Sequence, residues 1–423
     1  MRIRFKYFSI ALVALTFPAS VWATNGYFTH GVSTAEKGLA GAGVAFSQDT
    51  LAAGNNPAGM VWQGKRYDVG GALFAPMRNY DVSGSPSGAP GSFGLLPGKE
   101  DSDNESFLIP QYGQNWMLDD ESSIGVSVFG NGGMNTEYGG SNTFFDGTAG
   151  VDLSQLFIAT TYSAKLSDKS SWGISGIVAY QRFEAKGLAN FGPFSTDPDN
   201  LTNNSHDSAT GFGVRIGFQT EISPGVRLGG AYQPEIDMDE FDDYSGLFAE
   251  QGDFDIPSTY TIGLAVDIGS NGILVVDLQQ INYEDVAAVS NKFENLTDEC
   301  FFGDVDSCLG GDDGAGFGWE DMTVLKVGYQ WQDGDMTWRV GFSTGDQPIS
   351  DDEVLFNILA PGVMEEHVTF GFTKQIDEQS SFNFAAMIAP SNSVEGTNPL
   401  DPVQEIELEM DQYELAFSYN RRL

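Results

Sequence analysis

The chain has 423 residues, 59 of them acidic against 20 basic, for a formal charge of −39. Such a surface repels nucleic acid and anionic lipid alike and favours divalent cations or a saline habitat. With 52 glycines, 13% aromatic residues and no apolar run beyond the N-terminus long enough for a membrane helix, the chain is either a soluble secreted protein or a membrane β-barrel.

The first element is "MRIRFKYFSIALVALTFPASVWA". Arg2, Arg4 and Lys6 precede an apolar run from Tyr7 to Phe17, and small residues stand at the cleavage-determining positions, which predicts a secretory signal peptide over 1–23, cut after Ala23. Ser9, Thr16 and Pro18 interrupt the run, against a membrane anchor of roughly 18–20 apolar residues. Loss of Arg2, Arg4 and Lys6 with the leader takes the formal charge to −42.

Residues 24–62 form the next unit. In "FTHGVSTAEKGLAGAGVAF", Ser33 and Glu36 have capping-box spacing for a short helix, and the small residues after it permit close packing. "NNPAGM" then turns the chain, Pro57 fixing its own dihedral and biasing Asn56 toward an extended one. Few charges and many apolar residues argue against a disordered tail. "GLAGAG" lacks the dinucleotide-binding spacing and the strand and helix that must flank it, so no nucleotide cofactor is expected.

Residues 63–423 read as sheet. In "GFGVRIGFQTEI", Phe212, Val214, Ile216 and Phe218 oppose Gly213, Arg215, Gly217 and Gln219; in "DQYELAFSYN", Tyr413, Leu415, Phe417 and Tyr419 oppose Gln412, Glu414, Ala416 and Ser418. One face is apolar with aromatic ends, the other small or polar, the pattern of a lipid-facing strand. The expected strands are 66–83, 106–118, 121–137, 151–167, 170–187, 206–222, 225–241, 255–268, 271–285, 318–332, 334–345, 363–377, 380–392 and 405–421. Tight turns such as "LDDES", "SDKS", "SPG" and "GSNG" alternate with long acidic, Gly-rich loops. An up-and-down barrel with both termini on the periplasmic side requires that alternation, whereas a β-sandwich gives no reason for it. The weakest segment is 271–285, where Asp277 and Gln279 share parity with Ile273 and Val275.

The fold expectation is therefore all-β: a fourteen-stranded antiparallel transmembrane β-barrel over 63–423. A barrel of that width is not filled by its own side chains, so 24–62 is the available plug, an N-terminal hatch inside the lumen. Consecutive glycines in the third strand, Gly130, Gly132 and Gly133 around Asn131, mark a bulge or bend. In a barrel wall such a bend leaves an opening into the bilayer. Cys300 and Cys308 in "CFFGDVDSC" fit a small disulfide-closed external loop; no His lies nearby to complete a metal site.

Enzymatic chemistry finds little support. His30, His206 and His367 sit in no nucleophile motif, leaving only a Ser205-His206 pair at a strand start for an outer-membrane lipase. "DPDNLTNNSHD" lacks the central Gly and closing Glu of a calcium loop. A general porin would need an unplugged lumen, and an adhesin or phage-receptor role of the loops stays open.

The leader, the Gly/Ala-rich segment with "NPAGM", the third strand "SIGVSVFGNGGMNTEY" and later "FDIPSTYTIGLAVDI", "GWEDMTVLKVGYQW" and "PGVMEEHVTFGFTK" together resemble the FadL-type outer-membrane transporters of long-chain fatty acids and other hydrophobic compounds. The resemblance covers essentially the whole mature chain. It implies passive uptake by a monomer in the Gram-negative outer membrane, among lipid and lipopolysaccharide, with no catalysis, cofactor or metal. Cargo is a long-chain fatty acid or another hydrophobic small molecule, alkanes and aromatic hydrocarbons being alternatives. The resemblance places Asn56, Pro57 and Ala58 of the hatch against a kink at Phe129, Gly130, Asn131, Gly132 and Gly133, the lateral exit. It also implies a cargo-receiving groove in the outer loops, with candidates Leu188, Phe191, Phe194, Leu247 and Phe248; these apolar clusters either bind cargo or pack loop against loop. Inward parity makes Arg215 and Lys326 candidate luminal partners for a carboxylate. The barrel-assembly machinery reads a terminal strand that often ends in an aromatic; here the chain ends "FSYNRRL", with Leu423 on the lipid-facing parity of Phe417 and Tyr419.

Overall fold

The computed structural model describes residues 25–139 and 145–423; the expected signal peptide lies outside them. Fourteen strands form one closed antiparallel barrel among these residues. They are β1 Arg66–Ser83, β2 Phe107–Met117, β3 Ser122–Asn135, β4 Gly150–Ser167, β5 Ser170–Lys186, β6 Asp207–Ser223 and β7 Val226–Gln233. The second half is β8 Thr259–Ile268, β9 Gly272–Ile281, β10 Met322–Asp333, β11 Met336–Gly345, β12 Glu366–Gln375, β13 Ser380–Thr397 and β14 Glu405–Arg422. Each pairs with its sequence neighbour, and β14 returns to β1 in register from Arg66↔Arg422 to Ser83↔Glu405, which closes the barrel and removes the free edges. No helix among the described residues is long and apolar enough to cross a membrane.

Period-two alternation decides which face meets lipid. Phe212, Val214, Ile216 and Phe218 are exposed on the outside of β6, as are Tyr413, Leu415 and Phe417 on β14. Their alternates, among them Arg215, Gln412, Glu414 and Ser418, are buried toward the lumen.

The strand ends of 271–285 and 318–332 fall four residues short, at Ile281 and Met322, and three further departures lie beside prolines. β7 stops at Gln233, not 241, because Pro234 has no N–H for the ladder; Ile236 pairs instead with Ile256 in the outer loops. Pro257 delays β8 to Thr259. β13 runs on to Thr397 across a register shift between Ala389 and Asn392, at Pro390. A short ribbon, Gly98–Asp101, pairs with the outer end of β1 and has no counterpart among the expected strands.

Candidate functional site

The N-terminal segment before β1 lies within the barrel, against inward-facing residues all round the wall. Ser33 caps the short helix Thr34–Lys37, its Oγ accepting from Glu36 N at 3.2 Å while Ser33 N donates to Glu36 Oε2 at 3.4 Å. The next residue along, Lys37, donates to Glu414 on β14 at 2.7 Å, both side chains almost wholly buried. Leu39 packs over Gly328 and Gly341, which leave room for it: a Cβ on either would come within 3 Å of Leu39 atoms. The backbone then turns at Gly43 and Val44, whose N–H groups both donate to Asp277 on β9, at 2.7 and 2.9 Å. The irregular parity of β9 is explained by this contact. Val275 packs on Leu39, Ala42 and Ala45, and Asp277 on the same face satisfies a turn that would otherwise carry two buried, unpaired donors. Thr50 N donates to Asp68 on β1 at 2.9 Å, and Arg66 pairs with the same carboxylate.

Among the described residues, the wall is interrupted between β1 and β3. β2 pairs with β1 only as far as Phe74↔Phe107 and with β3 only as far as Gln111↔Phe129. Beyond those points Ala75 to Arg78 and Gly130 to Asn135 have no β2 partner. The Gly98–Asp101 ribbon and Asp103, whose N–H donates to Glu137 O at 2.7 Å, close the gap on the extracellular side. Within the gap β3 carries a register shift between Gly130 and Gly132 against β4 and bends inward. There it takes the N-terminal segment as its neighbour: Thr29 N donates to Asn131 O at 3.1 Å, and Gly133 N to Tyr27 O at 3.0 Å. The glycines are sterically required, since a Cβ on Gly132 would lie 2.5 Å from Tyr27 O and one on Gly133 2.6 Å from Leu153 O.

A cavity of about 550 Å³ meets this gap. Inward-facing Phe28, Met134, Leu153, Trp319 and Met410 line it, and so do outward-facing Leu108 and Leu156, so the space runs from lumen to lipid-facing surface. Leu108, 73% exposed, is shared with a second, shallow groove running down β1 over Val69 to Leu73 toward Phe417. The size and apolar lining suit a small hydrophobic ligand.

The sequence-derived site residues fall as follows. The bend at Phe129 to Gly133 is present, and its Gly130, Gly132 and Gly133 border the cavity, whereas Phe129 points inward against Phe157 and Asn131 donates to Gln155 Oε1 at 2.9 Å. Asn56, Pro57 and Ala58 do not sit against it: Asn56 Nδ2 donates to Phe218 O on β6 at 2.9 Å, Ala58 O accepts from Ser163 and Ser171 on β4 and β5, and Pro57 covers Gly173. The segment at the bend is Tyr27 to Thr29, whose backbone bonds to Asn131 and Gly133 on the β3 edge left open by β2. Leu188, Phe191, Leu247 and Phe248 do come together, but as a closed cluster around a space of about 30 Å³, with the Phe194 ring tilted against Phe301 at 4.3 Å between centroids. They pack loop against loop and leave no open groove. Arg215 and Lys326 point inward yet lie off the main cavity: Arg215 donates to the Gly54 and Gln233 oxygens, and Lys326 to His30 O at 3.3 Å, around a separate polar space of about 60 Å³. Cys300 and Cys308 form a disulfide. His206 is engaged by Asp152 at 2.8 Å and Arg182 at 2.9 Å on the exposed face. Among the described residues no group of His, Cys, Asp and Glu is arranged to hold a metal ion.

Sequence reading missed Arg78, a buried cation on the cavity, and the aromatic lining of Tyr27 and Trp319. The available signal for Arg78 was its parity, which it shares with Ala72 and Pro76 on the luminal face of β1. In the outer loops, burial followed by the Asp255 charge pushes the Asp253 carboxyl up to about 7, and burial pushes Asp255 up to about 6 against a Met238 N–H that donates to it at 2.7 Å.

A closed antiparallel barrel with an apolar exterior, an occupied lumen and a cavity opening through its wall defines an outer-membrane channel. The family model for outer membrane protein transport proteins (OMPP1/FadL/TodX) matches residues 15–420, and the chain belongs to that family. It is similar in structure to the Pseudomonas putida toluene transporter TodX (TM-score 0.66, 17% identity, 95% of this chain and 100% of that one). A Pseudomonas aeruginosa FadL homologue gives a TM-score of 0.69 at 16% identity, over 94% of this chain and 99% of that one. The Ralstonia pickettii toluene transporter TbuX gives 0.61 at 16%, over 93% and 99%. No protein of curated function matches the sequence. The family consists of transport channels, so the lipase reading on Ser205 and His206 is set aside.

Proposed function

We propose that the protein carries hydrophobic small molecules passively into the outer membrane, long-chain fatty acids first among them, and that cargo leaves sideways through the gap between β1 and β3. One observation carries this reading: a single cavity is lined by residues from both faces of the wall, Leu153 and Met410 from inside and Leu108 and Leu156 from outside. An apolar molecule in that space reaches lipid without crossing the aqueous periplasmic end. Residues 25–62 act as the hatch. Their turn on Asp277 and the Lys37–Glu414 pair block the straight route, which a general porin would leave open. Displacement of Tyr27 to Thr29 from Asn131 and Gly133 widens the gap at its inner side.

A second reading, uptake of monoaromatic hydrocarbons, has the aromatic lining of Tyr27, Phe28 and Trp319 in its favour, and the TodX and TbuX relatives are toluene transporters. The test is uptake of labelled oleate, hexadecane and toluene by cells lacking their own outer-membrane transporter for each, with folded protein against empty vector. Oleate uptake above vector is expected. Toluene uptake alone would replace the fatty-acid reading with the aromatic one, and no uptake of any cargo would overturn both.

A further inference from the structure

We infer that Arg78 is the specificity-determining residue of this passage: it anchors the headgroup of an anionic amphiphile, a carboxylate on a long apolar tail, and so favours such cargo over neutral hydrocarbon of equal length. The inference rests on the proposed passage through the wall gap.

Four charged side chains line the main cavity: Arg78, Asp152, Arg182 and Glu414. Asp152 and Arg182 pair with each other at 3.4 Å, and Glu414 pairs with Lys37 at 2.7 Å. Arg78 is in no ion pair among the described residues, although it is only 6% exposed. Its Nη2 donates to the Asn104 carbonyl and its guanidinium lies 5.8 Å from the centre of the Phe107 ring, but its Nε finds no acceptor. The carboxylate that acts on it, Glu105, is on the exposed face. A second buried donor without a partner, Tyr138 Oη, lies within electrostatic reach. The cavity therefore holds one cation outside any ion pair among the described residues, with a donor that finds no acceptor, in a chain where acidic residues outnumber basic ones 59 to 20. Burying a guanidinium without a counter-charge is unfavourable, and a carboxylate meets its planar donors with matched geometry.

Position gives the charge its meaning. Arg78 stands four residues beyond Phe74, where β1 loses β2, at the extracellular corner of the gap. A carboxylate held there leaves its tail to run past Met410, Met134 and Leu153 and out over Leu108. The amphiphile then meets the membrane head outward, the orientation it keeps in the outer leaflet.

The test uses the full mature protein in lipid nanodiscs and in cells, with palmitate and hexadecanol, equal in chain length and different in charge. The wild type is expected to bind palmitate about tenfold more tightly than hexadecanol, and Arg78→Met to bring the palmitate-to-hexadecanol ratio close to one, with Arg78→Lys between. Equal affinities in the wild type, or a ratio unmoved by Arg78→Met, would overturn the inference. This binding ratio is read without transport. Absence of uptake of both cargoes in cells would instead strike the transport reading, so the two failures are distinguishable.

Discussion

Lys37→Met tests how the proposed hatch is held. Lys37 Nζ donates to Glu414 Oε2 at 2.7 Å and to Thr29 Oγ1 at 3.2 Å, with the Lys37 and Glu414 side chains 2% and 3% exposed. Removing one partner of a buried pair leaves the other charge unpaired and costs about 3–5 kcal/mol. The cost falls on the seated hatch alone, because in the displaced state water reaches Glu414. The equilibrium between seated and displaced hatch should therefore shift by about a hundredfold or more. Ion conductance across planar bilayers reads this directly: the wild type should be silent and Lys37→Met should show intermittent openings. The double variant Lys37→Met with Glu414→Met removes both charges at similar volume and should return close to silence. A folded Lys37→Met barrel as silent as the wild type would refute the argument that this pair seats the hatch.

Two further outcomes follow from the outer loops. Cys300→Ser with Cys308→Ser opens a ring across a sequence separation of 8, which costs that loop about 2–3 kcal/mol; protease should cut near 300–308 faster while the barrel's heat resistance on gels stays as it was, and loss of barrel heat resistance would contradict an external, local role. Asp253 and Asp255 face Glu235, Asp237 and Glu240, and their folded pKa values lie above the ordinary carboxylate range. The folded loop thus binds more protons than the unfolded one, so the packing of 234–258 is strongest below about pH 4 and weakens as pH rises toward about 7. Protection factors for hydrogen exchange in that loop, with the intrinsic pH dependence of amide exchange divided out, should be larger at pH 5 than at pH 8, and Asp253→Asn should flatten the difference; larger protection at pH 8 would reverse the sign of the argument.

The strands were legible because a barrel wall is read locally: period-two alternation fixes the face of Phe212 or Tyr413 whatever lies across the lumen, and turn residues fix the ends. Where prolines intervene, at Pro234, Pro257 and Pro390, ladder bonding rather than hydropathy sets the boundary. The bend was legible for the same local reason, since Gly130, Gly132 and Gly133 lie within four residues. What meets the bend was not. Whether Tyr27 to Thr29 or Asn56 to Ala58 reaches β3 depends on the path of the whole N-terminal segment across the lumen, set by distant anchors such as Asp277 and Glu414. Asp277 itself was visible as a flaw in the β9 alternation, and the flaw is a contact with that segment. Arg78 was hidden because parity reports a face and not whether a charge is compensated; that requires knowing that Asp152 pairs with Arg182 and Glu414 with Lys37. The apolar loop residues Leu188, Phe191 and Phe248 were visible as a cluster, but sequence does not separate a groove from a closed packing of the same side chains.

The most direct test of lateral passage is to fill the gap. An ideal Cβ on Gly130 meets the Cγ2 branch methyl of Ile109 at 2.8 Å, with no backbone closer than Gln155 O at 3.9 Å. Gly130→Leu therefore places its bulk between β2 and β3 at an overpacking cost of about 1–3 kcal/mol, which a closed barrel tolerates. Labelled oleate uptake should fall to the level of empty vector while the protein remains folded in the membrane. Undiminished uptake by a folded Gly130→Leu barrel would contradict passage through the wall and place the route elsewhere in the lumen.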